Sequence, residues 1–157
     1  IVPTGGGPAL EGFVESFQAG FISGKLVLAF EGEPAWLVAA QARATRNEVG
    51  EGGRSRRYGL SVQDLLQARK APLVGLTFIP AAQLDEVAVV QRFGAPPERY
   101  VGRDGERQFL YPLQGVAVAL PPEAGDGARA KAVIQYVAPS DVATRLRAPL
   151  LSHLKAS

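Results

Sequence analysis

Apolar residues recur along this chain in two rhythms, and the change from one to the other predicts most of its elements. From Ala9 to Phe21, the residues Leu10, Phe13, Val14, Phe17 and Phe21 fall at three- and four-residue steps, which predicts an amphipathic helix. KLVLAF (25–30) and AWLVAAQARA (35–44) are two apolar runs divided by Glu31, Gly32, Glu33 and Pro34. They predict a hairpin with a four-residue connection, its buried face anchored by Trp36. Residues 45–59 mix Gly50, Gly52, Gly53 and Gly59 with charges, the composition of an exposed, mobile loop. Ser61, answered by Asp64, then caps a short helix carrying Val62, Leu65, Leu66 and Arg69 as far as Pro72.

LVGLTFI (73–79) has strand composition, and Ala82 to Phe93 returns to helical spacing through Leu84, Val87, Ala88 and Val90 before Gly94. From Arg99 the pattern is strand: RYVGR, the turn pair Asp104-Gly105, ERQFLYP, GVAVAL, the loop PPEAGDGAR, and KAVIQYVAP. Each connection is too short for a parallel crossover, so these strands are expected to pair as an antiparallel meander. After Pro139, Ser140 or Asp141 caps a last helix with Val142 and Leu146, and the tail carrying Leu150, Leu151 and Leu154 is expected to dock on the sheet. The fold class expected is α+β, an antiparallel meander sheet with short helices packed on one face. Residues 1–8, with Pro3, Pro8 and Gly5 to Gly7, read as a flexible linker ahead of a single domain over 9–157. The order helix, strand, helix, strand occurs twice, which admits a degenerate duplication at about 9–79 and 80–157.

Composition narrows the chemistry. The chain has 157 residues, 46% hydrophobic and 20% charged, enough apolar surface for a core. Seventeen basic against 15 acidic residues leave a net charge of +2, which gives no reason to expect nucleic acid as a partner. With no cysteine, disulfides, thiolate nucleophiles and cysteine metal sites are excluded. No apolar run approaches the roughly 20 residues of a membrane-spanning helix. The first residue is Ile1 and methionine is absent, which predicts a processed start and a membrane attachment only through an anchor removed with it.

Candidate catalytic groups do not converge. His153 is the only histidine and stands near the C-terminus with no G-x-S-x-G elbow elsewhere, so a surface or packing role is expected. Asp85 and Glu86 are adjacent and diverge on a helix, while Glu31 and Glu33 share strand parity at a turn without a visible cleft. Glu123 and Asp126 lack the donor density of a calcium loop, and GEGGRSRR lacks the Lys-Ser or Lys-Thr of a phosphate cradle. The one local charge anomaly is Arg43, Arg46, Arg54, Arg56 and Arg57 against Glu48 and Glu51, a candidate patch for an anionic ligand whose plainer reading is a solvated loop. No metal or cofactor is expected.

The stretch from Phe93 to Leu120 resembles the core of the SmpA/OmlA family of small outer-membrane lipoproteins. Phe93, Gly94 and Pro96 match that family's turn after a helix, Asp104 and Gly105 its hairpin tip, and Phe109 and Tyr111 its aromatic pair. The family's Gly-Met-Thr helix opening is replaced by Pro80, Ala81 and Ala82, and Phe109 stands where tryptophan is usual. The resemblance implies a periplasmic or outer-membrane-anchored protein that binds other envelope proteins and catalyses nothing; a cytoplasmic setting is the alternative. On that basis Tyr100, Arg103, Asp104, Phe109 and Tyr111 are the expected partner contacts. A second function class is a binding protein for a small apolar or anionic ligand held between sheet and helices. Oligomeric state is not fixed by the sequence.

Overall fold

The computed structural model describes residues 2–4, 7–49, 56–124 and 130–156. Its strands are β1 (Val2–Thr4), β2 (Gly7–Ala19), β3 (Ile22–Phe30), β4 (Arg46–Val49), β5 (Arg56–Gly59), β6 (Leu73–Pro80), β7 (Glu98–Val101), β8 (Arg107–Tyr111), β9 (Val116–Leu120) and β10 (Val133–Tyr136). The helices are α1 (Pro34–Ala42), α2 (Val62–Ala68), α3 (Glu86–Phe93) and α4 (Ala148–Ala156). Between β10 and α4 the backbone passes through a 3-10 turn at Pro139–Asp141 and a π-helical turn at Ala143–Arg147. The class is α+β, an antiparallel sheet with short helices. The chain divides into two compact units, residues 1–12 with 28–74, and residues 13–27 with 75–157.

In the second unit the strand order is β2-β3-β6-β10-β9-β8-β7. The meander expected from Arg99 onward is present, with β7, β8, β9 and β10 paired antiparallel in sequence order and β10 against β6. Its register lines up Arg99, Phe109, Val118, Ile134 and Phe78 in one row across five strands. On that face Phe109, Tyr111, Val118, Leu120 and Ile134 form the main core with Val89 of α3. The opposite face presents Leu110 and Ala117, which pack with Val142 and Leu146 of the C-terminal helical segment. Helical segments therefore pack on this sheet from α3 and from the C-terminal segment. The reason lies in the run Phe109-Leu110-Tyr111: successive strand residues point to opposite sides, so three consecutive buried residues require cover on each.

Local chemistry explains where α3 sits. Asp85 accepts a hydrogen bond from the Ala88 amide at 2.8 Å and so caps a helix that starts at Glu86, four residues later than its spacing suggested. Gly94 ends it, and the Tyr111 hydroxyl donates to the Gly94 carbonyl at 3.0 Å, tying the helix end to β8.

In the first unit, Glu33 accepts from the amides of Ala35 and Trp36, and Pro34 occupies the first helical turn. Those signals, with an alanine-rich stretch behind them, make 34–42 a helix and overturn the hairpin expected between 25–30 and 35–44. Val2–Thr4 pairs antiparallel with Gly7–Ala9, so the described part of 1–8 lies in strands where a linker was expected. The supposed loop 45–59 contains an antiparallel pair, β4 with β5, while residues 50–55 lie outside the described residues. The Ser61 cap is as expected: its hydroxyl accepts from the Asp64 amide at 3.1 Å.

Replacing Phe109 with alanine is expected to destabilise the second unit by about 3–5 kcal/mol, against changes within about 0.5 kcal/mol for Arg103→Ala on the exposed turn. Urea denaturation of the two variants checks this; similar midpoints would contradict the core described.

Candidate protein-docking site

The helix expected over 9–21 is instead the long strand β2, turned back at Gly20 and Phe21 into β3. Gly20 adopts φ +62°, a left-handed conformation that glycine enters without a Cβ penalty. A Cβ on Gly24 would overlap the Ile79 carbonyl and the Phe78 ring, so β3 approaches β6 too closely for a side chain there. The hairpin is thereby held by its base on β6, with Phe17 edge-on to Phe78 at 6.3 Å and 77°. Glu15 and Lys25 form an ion pair at 3.3 Å across its two strands.

Beside the polar residues Glu15, Ser16, Gln18, Ser23 and Lys25, this hairpin leaves several large apolar side chains in water. Phe21 at the tip is fully exposed, Ile22 is 55% exposed, and Val14 and Phe17 lie at 36% and 37%. Among the described residues β1 pairs with Gly7–Ala9, and no strand is paired to the outer side of Val14–Ala19. This is a six-residue open sheet edge without proline. The other edge, β7, is shielded differently. It has four residues, follows Pro96 and Pro97, and carries its charges in ion pairs: Arg99 with Glu86 at 2.6 Å and Glu98 with Arg147 at 2.5 Å.

The contacts expected around Tyr100 do not form one surface. Phe109 and Tyr111 are each 2% exposed and belong to the core, which removes them as contacts for a partner. Tyr100 is half-buried and donates its hydroxyl to Glu98 at 2.7 Å, while Arg103 and Asp104 are exposed at the β7–β8 turn. Glu98 receives Arg147 and the Tyr100 hydroxyl, which together hold its carboxyl below the usual range, Arg147 contributing most. That trio fastens the C-terminal segment to β7.

The arginine patch is also dispersed. Arg43 is committed to Asp64 through two hydrogen bonds, at 3.1 and 2.5 Å. Arg57 faces Glu48 across the β4–β5 ladder, Arg46 and Arg56 are exposed on the same hairpin, and Arg54 lies outside the described residues. Of the acidic candidates, Glu33 and Asp85 cap helices, while Glu86 and Glu123 both pair with Arg107. Asp126 lies outside the described residues. His153 is exposed on α4, within electrostatic reach of Glu106. No cluster of three or more metal-ligating side chains occurs among the described residues, and no described helix is long and apolar enough to cross a membrane.

Comparison with protein-family models, curated proteins and solved structures found no match. The arrangement itself is suited to apolar association along a strand edge. Sequence reasoning missed it because Phe17 and Phe21 were assigned to a helix face; the signal was Gly20, placed between two apolar stretches where a turn reverses the chain.

Asp64 is 2% exposed, and Arg43 first and Ser61 second lower its pKa to about 2. An aspartate is ordinarily half-protonated near pH 4, so its ionised form stabilises the fold above about pH 4, and that contribution is lost as pH falls toward about 2. Asp64→Asn is expected to be less stable at pH 7 and to show a shallower loss of stability between about pH 4 and pH 2, read by urea denaturation at each pH. Parallel pH curves for the two proteins would contradict this role.

Proposed function

We propose that the chain is a non-catalytic binding domain that acts through protein–protein contacts in a cell envelope, with the β2–β3 hairpin as its contact surface. One observation carries the reading: an open strand edge and its tip hold Phe17, Phe21 and Ile22 in water. Exposed strand edges with apolar side chains invite pairing, and folded proteins commonly blunt them with proline, charge or a covering element. β7 is short, follows two prolines and carries two ion pairs, whereas the outer half of β2 holds no proline and a single charge, Glu15, paired with Lys25. Keeping such an edge open is explained by a protein that uses it.

The envelope setting rests on the resemblance of residues 93–120 to the SmpA/OmlA lipoproteins. The local order of helix, Gly94 turn and Asp104-Gly105 hairpin is compatible with it. Two of the residues that resemblance nominated, Phe109 and Tyr111, are core, so the contact is assigned to the hairpin and not to β8.

A photo-crosslinking amino acid at position 21, introduced into the protein in its native cells, is expected to yield covalent protein adducts. The same probe at Gln91, exposed on α3, is the control and is expected to yield none. Absence of adducts at position 21 would reject the hairpin as a protein contact.

A further inference from the structure

We infer that the outward face of α2 docks on a bilayer surface carrying anionic lipid headgroups. This concerns the first unit and does not depend on the β2–β3 hairpin. About 3.6 residues per turn place Val62, Leu65, Leu66 and Arg69 on one side of α2 and Asp64 and Ala68 on the other. The structure turns the second side inward. Asp64 is buried and Ala68 half-buried, whereas Val62, Leu65 and Leu66 are exposed, Val62 at 82%.

Apolar burial alone would turn this helix over, since aliphatic side chains gain from leaving water and a carboxylate does not. A specific restraint keeps it as it is. Asp64 accepts from Arg43 at 3.1 and 2.5 Å and from the Ser61 hydroxyl at 2.6 Å, and a half-turn of the helix would break all three bonds. The buried ion pair therefore fixes the rotation that presents the aliphatic stripe to the outside.

Charge selects the occupant. Between Leu60 and Val74 the ionisable residues are Asp64, Arg69 and Lys70. Asp64 is buried and paired with Arg43, so the charge this segment shows to solvent is that of the exposed Arg69 and Lys70. Aliphatic side chains beside cations, with no exposed carboxylate among them, match a lipid interface: the acyl boundary takes the leucines and the anionic headgroups take the cations. Protein contacts usually centre on aromatic or arginine anchors, with leucine and valine under-represented, and the centre of this face is aliphatic only. The contact is peripheral, since no described helix is long and apolar enough to cross a membrane.

Flotation of the purified full chain with vesicles tests this. Binding is expected to vesicles of phosphatidylcholine mixed with phosphatidylglycerol, to fall as salt is added, and to be much weaker with phosphatidylcholine alone. Arg69→Gln with Lys70→Gln is expected to lower partition into the mixed vesicles about 25-fold, about five-fold for each cation. Leu65→Ser with Leu66→Ser is expected to lower it about ten-fold or more. Because the chain has no cysteine, a second measurement leaves both of those pairs intact or changes one exposed residue only: Leu66→Cys and Gln91→Cys each accept a single environment-sensitive dye. The dye at position 66 is expected to shift to the blue on adding mixed vesicles, and the dye at position 91 on α3 to stay unchanged. No binding to the mixed vesicles, equal binding to phosphatidylcholine alone, binding indifferent to either double substitution, or equal shifts at 66 and 91 would overturn the inference. Protein adducts from a photo-crosslinker at position 66, together with a purified chain that ignores vesicles, would assign the face to a protein and overturn it as well.

Discussion

Burial of β8 and β9 from both sides is the constraint on which the second unit depends. Phe109 and Tyr111 look toward α3, Leu110 looks toward Val142 and Leu146, and all three are essentially inaccessible to water. A strand of that composition has no polar face to offer solvent, so the chain must supply a cover for each side. Placement of α3 and of the C-terminal segment follows from this need. The polar contacts then set the fit: the Tyr111 hydroxyl on the Gly94 carbonyl fixes one cover, and the Glu98–Arg147 pair fixes the other.

Charge inside the first unit works by a related logic. Asp64 is buried on α2 while Val62, Leu65 and Leu66 of the same helix remain largely exposed, an inversion of the usual amphipathic arrangement. A lone buried carboxylate would be costly, and here Arg43 and Ser61 supply the hydrogen bonds that keep it ionised. The residue that caps α2 also helps to solvate the charge, so local helix initiation and a tertiary ion pair share one side chain. The same commitment of Arg43 removes a member from the arginine cluster that composition alone had suggested.

The sequence was most legible where local signals agreed with each other. The meander from Glu98 to Tyr136 was readable because its connections are short and Asp104-Gly105 marks a turn, and the α2 start because Ser61 and Asp64 form a reciprocal cap. β2 was misread because a spacing of four satisfies both periods: Phe13, Phe17 and Phe21 are neighbours on a helix face and also share parity on a strand. Only the pairing of β3 with β6, which depends on residues some fifty positions away, decides between them. The docking edge inherited that ambiguity, since an apolar face is ordinary on a helix and conspicuous on an unpaired strand. In the same way, Phe109 and Tyr111 carried strand spacing that gave no sign of which side would be covered.

The placement of the aromatic residues has an optical consequence. The only tryptophan, Trp36, lies on α1 in the first unit, whereas Tyr100, Tyr111 and Tyr136 lie in the second. Indole emission excited at the red edge therefore belongs to one unit alone, and phenol absorbance comes mostly from the other. The molecule carries two native reporters, and the loosening of either half is visible without attaching a dye.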